Sequence, residues 1–157
     1  MTINDVFDEL DVHFKRVDKL IPEIKGIFPL SNKDFESIEV VKTIDSFIYR
    51  FIKIQDKMGE KLFPYYLRLI QEYKENLAFI DILNKLEKFG LIESFQEWID
   101  FRKLRNTLTH EYPGNEEEII ESIKLAVEVY SRINEIYLSI KSDVLKRGLL
   151  GGIETSN

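Results

Sequence analysis

Residues 35–62, FESIEVVKTIDSFIYRFIKIQDKMGEKL, carry apolar side chains at Val41, Ile44, Ile48, Phe51, Met58 and Leu62. That spacing approaches a seven-residue repeat and predicts one long helix with a single buried seam. Gln55 interrupts the seam, and Arg50 stands between Phe47 and Ile54. Pro64 lacks the amide proton that a helix interior needs, so it should kink or end the element, with Tyr65 to Tyr73 continuing beyond it.

The same periodicity extends in both directions. Toward the N-terminus, Ile3, Val6, Phe7, Leu10, Phe14, Val17, Ile21 and Ile24 predict a first helix whose end is marked by Pro22 and Gly26, and Pro29 to Asp34 supply turn residues. Toward the C-terminus, Leu77, Ile80, Leu83 and Leu86 predict a short helix closed by Phe89-Gly90. Ser94 and Glu97 have the spacing of a capping box and open a fourth helix that runs to about His110. Pro113-Gly114 breaks the chain and Asn115 can cap. Glu116, Glu117 and Glu118 then put negative charge on the first turn of a last helix, whose buried side is lined by Ile119, Ile123, Val127, Tyr130, Ile133, Tyr137, Ile140 and Val144. No strand-like alternation or internal repeat appears. The expected fold is all-α, an up-down bundle of four to five helices forming one domain over residues 1–147, with a flexible tail over 148–157.

Composition limits the function. The 157 residues are 44% hydrophobic and 12% aromatic, enough for a core. No apolar run approaches the roughly 18 residues of a membrane span, and MTINDVFDEL lacks the parts of a signal peptide, so a cytoplasmic protein without membrane contact is expected. The absence of cysteine excludes disulfides, thiolate metal sites and cysteine nucleophiles. With two distant histidines and no paired-histidine helix motif, neither a metal nor another cofactor is expected. A net charge of −6 argues against a surface that coats nucleic acid, so any contact with RNA must be local.

The fourth helix carries the unusual chemistry. At about 100° per residue, Gln96, Asp100, Lys103 and Thr107 share the expected solvent arc. Arg105 projects from the apolar arc, and Arg102, Asn106 and His110 continue the line begun by Phe95 and Ile99. Burying such groups is costly unless they are paired or face a cleft, and a cleft at this helix end is the simplest expectation. Each group alone also fits a plainer role. The arginines can snorkel past the core or pair with Asp45 or Asp56, and His110 can be an ordinary surface or core histidine. His13 stands alone on the first helix, without polar neighbours suited to catalysis.

The segment RNTLTHEY, residues 105–112, has an arginine, four residues, a histidine, one residue and a tyrosine. It resembles the signature of HEPN proteins of the HepT type, which share the fold of nucleotidyltransferase substrate-binding subunits. The position at the end of the penultimate helix agrees with that family, and Asp45-Ser46-Phe47-Ile48-Tyr49-Arg50-Phe51 through Gln55-Asp56 also looks like its pattern. The resemblance spans roughly residues 1–145.

What the resemblance implies is a ribonuclease toxin that cuts RNA, such as transfer or messenger RNA, without metal at a cleft between two subunits of a homodimer. Arg105 would stabilise charge on phosphate, and His110 would move protons at the ribose 2′-hydroxyl or the leaving oxygen. Asn106, Arg102 and Arg50 would support the site or bind RNA, although Arg50 with Gln55 also fits a polar pair that fixes helix register. Tyr112 would be where a partner nucleotidyltransferase antitoxin attaches AMP, a bulky negative group beside His110. It also fits an ordinary aromatic at a helix terminus. The alternative function is a non-catalytic partner subunit that binds nucleotide or substrate for a nucleotidyltransferase.

Overall fold

Thr2 and Asp5 open the first helix by capping each other. The Thr2 amide donates to Asp5 Oδ2 at 2.6 Å, and the Asp5 amide donates to Thr2 Oγ1 at 3.3 Å. The resulting helix, α1 (Ile3–Ile27), runs through Pro22 and stops when Phe28 turns extended, so Pro22 does not mark its end. The computed structural model describes residues 1–114 and 116–150. Asn115 and residues 151–157, on which the expected cap and much of the expected tail fall, lie outside that range.

Ser31 and Asp34 repeat the reciprocal cap around a short 3₁₀ turn, Asn32–Glu36. Ser37 then caps α2 (Ile38–Lys57), which therefore begins three residues after Phe35, the expected start. No break follows. A π-helical turn, Met58–Leu62, leads directly into α3 (Phe63–Leu69). The Phe63 amide donates to the Met58 carbonyl, five residues back. A proline ring crowds the carbonyl four residues before it, and this widened turn accommodates Pro64 without ending the rod. Gln71, in the left-handed region at φ 62°, redirects the chain, so the rod stops short of Tyr73.

The short helix α4 (Phe79–Lys88) buries Ile82, Leu83 and Leu86, whereas Ile80 is 42% exposed, a shift from the expected stripe. Gly90, at φ 75°, closes it. Ser94 caps α5 (Phe95–Glu111) by accepting from the Glu97 amide at 3.2 Å. The Glu97 carboxylate accepts from the Glu93 amide instead of the cap residue's own and also binds Arg132 on the last helix, so the box is offset by one position. The last helix, α6 (Glu116–Lys146), opens with the three expected glutamates.

Paired contacts fix the topology. His13 with Arg50 and Glu9 with Lys57 run in opposite directions along α1 and α2. Asp56 with Arg105 and Asp45 with Tyr112 do so along α2 and α5. Tyr130 and Tyr137 lie 2.7 Å from Asp18 and 2.6 Å from Asp11, and so zip α6 antiparallel to α1. The described residues thus form an all-α bundle of five helical rods, counting α2, the π turn and α3 as one. No helix among them is long and apolar enough to cross a membrane. At the centre, buried Trp98 on α5 meets the Phe63 and Phe101 rings edge-on, with centroids 4.7 and 5.9 Å away. Truncating such a side chain removes apolar burial and leaves a cavity. Trp98→Ala should therefore cost about 3–5 kcal/mol in denaturant titrations, and a loss below about 1 kcal/mol would contradict this packing.

Candidate active site

The guanidinium of Arg105 is tied to α2 by two bonds. Its Nε donates to Asp56 Oδ1 at 3.1 Å and its Nη2 to Asp56 Oδ2 at 2.8 Å, with the two side chains 22% and 32% exposed. This fork-on-fork geometry holds the planar group in one orientation. Nη1 lies 3.4 Å from Asn106 Oδ1. Asp56 and Asn106 together take three of the five N–H donors of a guanidinium, which leaves two for another acceptor. One of the plainer expectations, pairing with Asp56, is therefore what Arg105 adopts.

One residue before Asp56, buried Gln55 reaches across the same helix interface and donates from Nε2 to the Phe101 carbonyl at 3.1 Å. Phe101 lies four residues before Arg105, so Gln55 braces the turn from which Arg105 projects. Gln55 and Arg50 are not paired with each other. Arg50 turns to α1, where its Nη1 lies 2.9 Å from His13 Nδ1. Because an arginine is always a donor, His13 accepts through Nδ1 and its proton sits on Nε2. Burial, and then the positive charge of Arg50, hold the His13 pKa below its ordinary value, with Glu9 opposing and Lys57 and Arg16 reinforcing the shift. His13 therefore has a polar neighbour from another helix, in a contact that joins α1 to α2.

The remaining motif residues are arranged differently from expectation. Arg102, Asn106 and His110 are exposed, as is Phe95 at 38%, whereas Thr107, expected in solvent, is half-buried. Gln96, Asp100 and Lys103 are exposed as expected, so the solvent side of α5 is wider than expected and takes in the Arg102–Asn106–His110 line, whose members do not lie in a buried cleft among the described residues. A groove of about 610 Å³ does exist between α1 and α6, but Lys25, Phe28, Lys124 and Tyr130 line it and the motif does not. Arg102 lies over the Phe79 ring, 5.1 Å from its centroid, beside the π turn at Gly59. Among the described residues Arg102 has no ion-pair partner and His110 no hydrogen-bond partner. No hydrogen bond joins His110 to Arg105.

Tyr112 caps α5 with an extended backbone, and its hydroxyl donates to Asp45 on α2. Burial, reinforced by the Asp45 carboxylate, pushes its phenol pKa up. It is half-buried, more open than the core tyrosines Tyr65, Tyr66, Tyr130 and Tyr137. Gly114 makes the turn beyond it: a Cβ there would stand 2.7 Å from the Glu111 carbonyl oxygen. Among the described residues no three His, Asp or Glu side chains converge as a metal-ion cluster.

Comparison of the chain with protein-family profiles, curated proteins and solved structures gave no match in any of the three.

The His13–Arg50 contact carries a pH dependence. The folded state favours neutral His13, while the unfolded chain takes up its proton near the ordinary value of 6.5. This contribution to stability is present above about 6.5 and is lost as pH falls below it. Denaturant titrations between pH 5 and 8 should show that loss in the native chain and a flatter profile for His13→Gln, which keeps an acceptor but does not titrate. Identical profiles would contradict it.

Proposed function

We propose that this chain is a metal-independent endoribonuclease that acts as a homodimer in the cytoplasm, the toxin of a pair whose nucleotidyltransferase antitoxin silences it by adding AMP to Tyr112. The observation that carries the reading is Arg105, pre-oriented by Asp56 with two N–H donors to spare, on the helix end that also exposes Asn106 and an unengaged His110. The resemblance of residues 105–112 to the HEPN signature supports it.

In this reading the His110 imidazole takes the proton of a ribose 2′-hydroxyl. The 2′-oxygen attacks the adjacent phosphorus, the P–O5′ bond breaks, and the leaving 5′-oxygen is protonated, giving a 2′,3′-cyclic phosphate and a 5′-hydroxyl. The free N–H groups of Arg105 stabilise the added charge on the pentavalent phosphorus. Arg105 and His110 are five residues apart, about 140° around one helix, so a second copy across a two-fold axis is needed to complete a groove. Tyr112 already donates to the Asp45 carboxylate, which can take its proton when the phenol oxygen attacks the α-phosphorus of ATP, the α–β P–O bond breaks and pyrophosphate leaves.

A second reading, a non-catalytic subunit that binds nucleotide for a nucleotidyltransferase, draws on one observation: Asp56 already neutralises Arg105, which lowers the positive field at the site. Incubating the purified protein in chelator with transfer RNA and messenger RNA separates the two. Cutting by the native chain that falls at least about 100-fold in both His110→Ala and Arg105→Ala is expected. Equal cutting by all three preparations, or no cutting together with tight nucleotide binding, would overturn the nuclease.

A further inference from the structure

On the exposed face of α2, Tyr49 is 52% exposed, the most open aromatic side chain on the helices that carry the site. Two cations lie against its ring: the Arg50 guanidinium carbon is 5.3 Å from the centroid and Lys53 Nζ is 5.5 Å. Lys53 has no ion-pair partner among the described residues, and Arg50 is held only by His13. In a chain of net charge −6, an exposed aromatic with two cations near its ring that lack carboxylate partners departs from the general surface.

Its place on the helix makes it relevant. Asp45 and Asp56 both reach α5, at Tyr112 and Arg105. They are eleven residues apart and so share a face, with Tyr49 four residues after the first and Lys53 three before the second. Because α2 and α5 are antiparallel, this Tyr49–Lys53 stretch flanks the part of α5 between Arg105 and Tyr112, where His110 lies. An aromatic face accepts any nucleobase by stacking, and adjacent cations hold the phosphates on either side.

We infer that Tyr49, flanked by Arg50 and Lys53, is a stacking platform for an unpaired base of single-stranded RNA next to the phosphate that Arg105 engages. The inference rests on the nuclease reading for its substrate class. Stacking selects for an open ring face and hardly for base identity, so the platform favours unpaired loops over duplex RNA without strong sequence choice.

The test uses the full chain with His110→Ala throughout, so that RNA survives the measurement, and fluorescence anisotropy with a short labelled single-stranded RNA. Adding Tyr49→Ala should weaken binding about 5- to 100-fold, whereas Tyr49→Phe should stay within about twofold. On the same RNA with abasic riboses, all three proteins should bind alike. Equal binding of base-bearing RNA by the Tyr49→Ala protein, equal losses on abasic RNA, or absence of RNA binding would each overturn the platform. Cleavage by the native chain is scored separately: cutting without any Tyr49 effect sinks the platform alone, and the Tyr49 pattern without cutting supports the platform while removing the catalytic reading.

Discussion

Arg105 and Asp56 join the middle of α5 to the end of α2 through two N–H···O contacts, and the whole polar end of α5 is arranged around that join. A lone charge at this half-buried position would be costly, and the carboxylate fork offsets the cost while fixing where the guanidinium points. Gln55, one residue earlier on α2, adds a hydrogen bond to the backbone of the same α5 turn, so two successive polar residues of the long helix set the register of the motif helix. Tyr112 repeats the arrangement with Asp45 three turns away. The interface between α2 and α5 is therefore polar at its rim over the length of the motif and apolar behind it, where Trp98 and Phe101 pack.

This division explains why α5 can present its last turns to solvent without losing definition. Most of the helix surface beyond Ile99 is polar, and only Phe101 and Leu108 in that stretch are fully buried. Arg105 and Tyr112 tie this end of α5 to α2 by side-chain bonds, while Arg102 and His110 stay open to solvent. Such a helix end can hold a guanidinium in one orientation while leaving a neighbouring imidazole free, as the proposed site shared between two copies of the chain would require.

Much of the fold was legible because it rests on periodic burial. The α6 stripe and the Ser94 cap follow from spacing that only a helix satisfies. Pro22 and Pro64 were harder to read, since a proline in the last turns of a helix or beside a widened turn is tolerated, and the sequence alone does not tell tolerance from termination. On α5 the expected solvent arc is exposed at Gln96, Asp100 and Lys103, but the exposed surface is wider than its weak amphipathic pattern tells. Arg102, Asn106 and His110 line up with Phe95 and Ile99, but that line itself faces largely outward. His13 was set aside for standing alone in the sequence, whereas its partner Arg50 comes from a different helix, 37 residues on, and only the packing of α1 on α2 brings them together. Tyr49 gives no signal by spacing, because the two cations that lie against its ring and the face of α2 that meets α5 are visible only in the folded chain.

The most direct test of the central claim is a crystal structure of the chain bound to an RNA oligonucleotide that cannot be cut because its 2′-hydroxyls are replaced by hydrogen. A two-fold dimer is expected with the α5 ends facing one groove, in which one phosphate accepts from Arg105 and has His110 within hydrogen-bond reach of the adjacent 2′ position, the Arg105–Asp56 pair remaining intact. RNA bound away from α5, or a dimer that keeps Arg105 and His110 in separate solvent-filled regions, would contradict it.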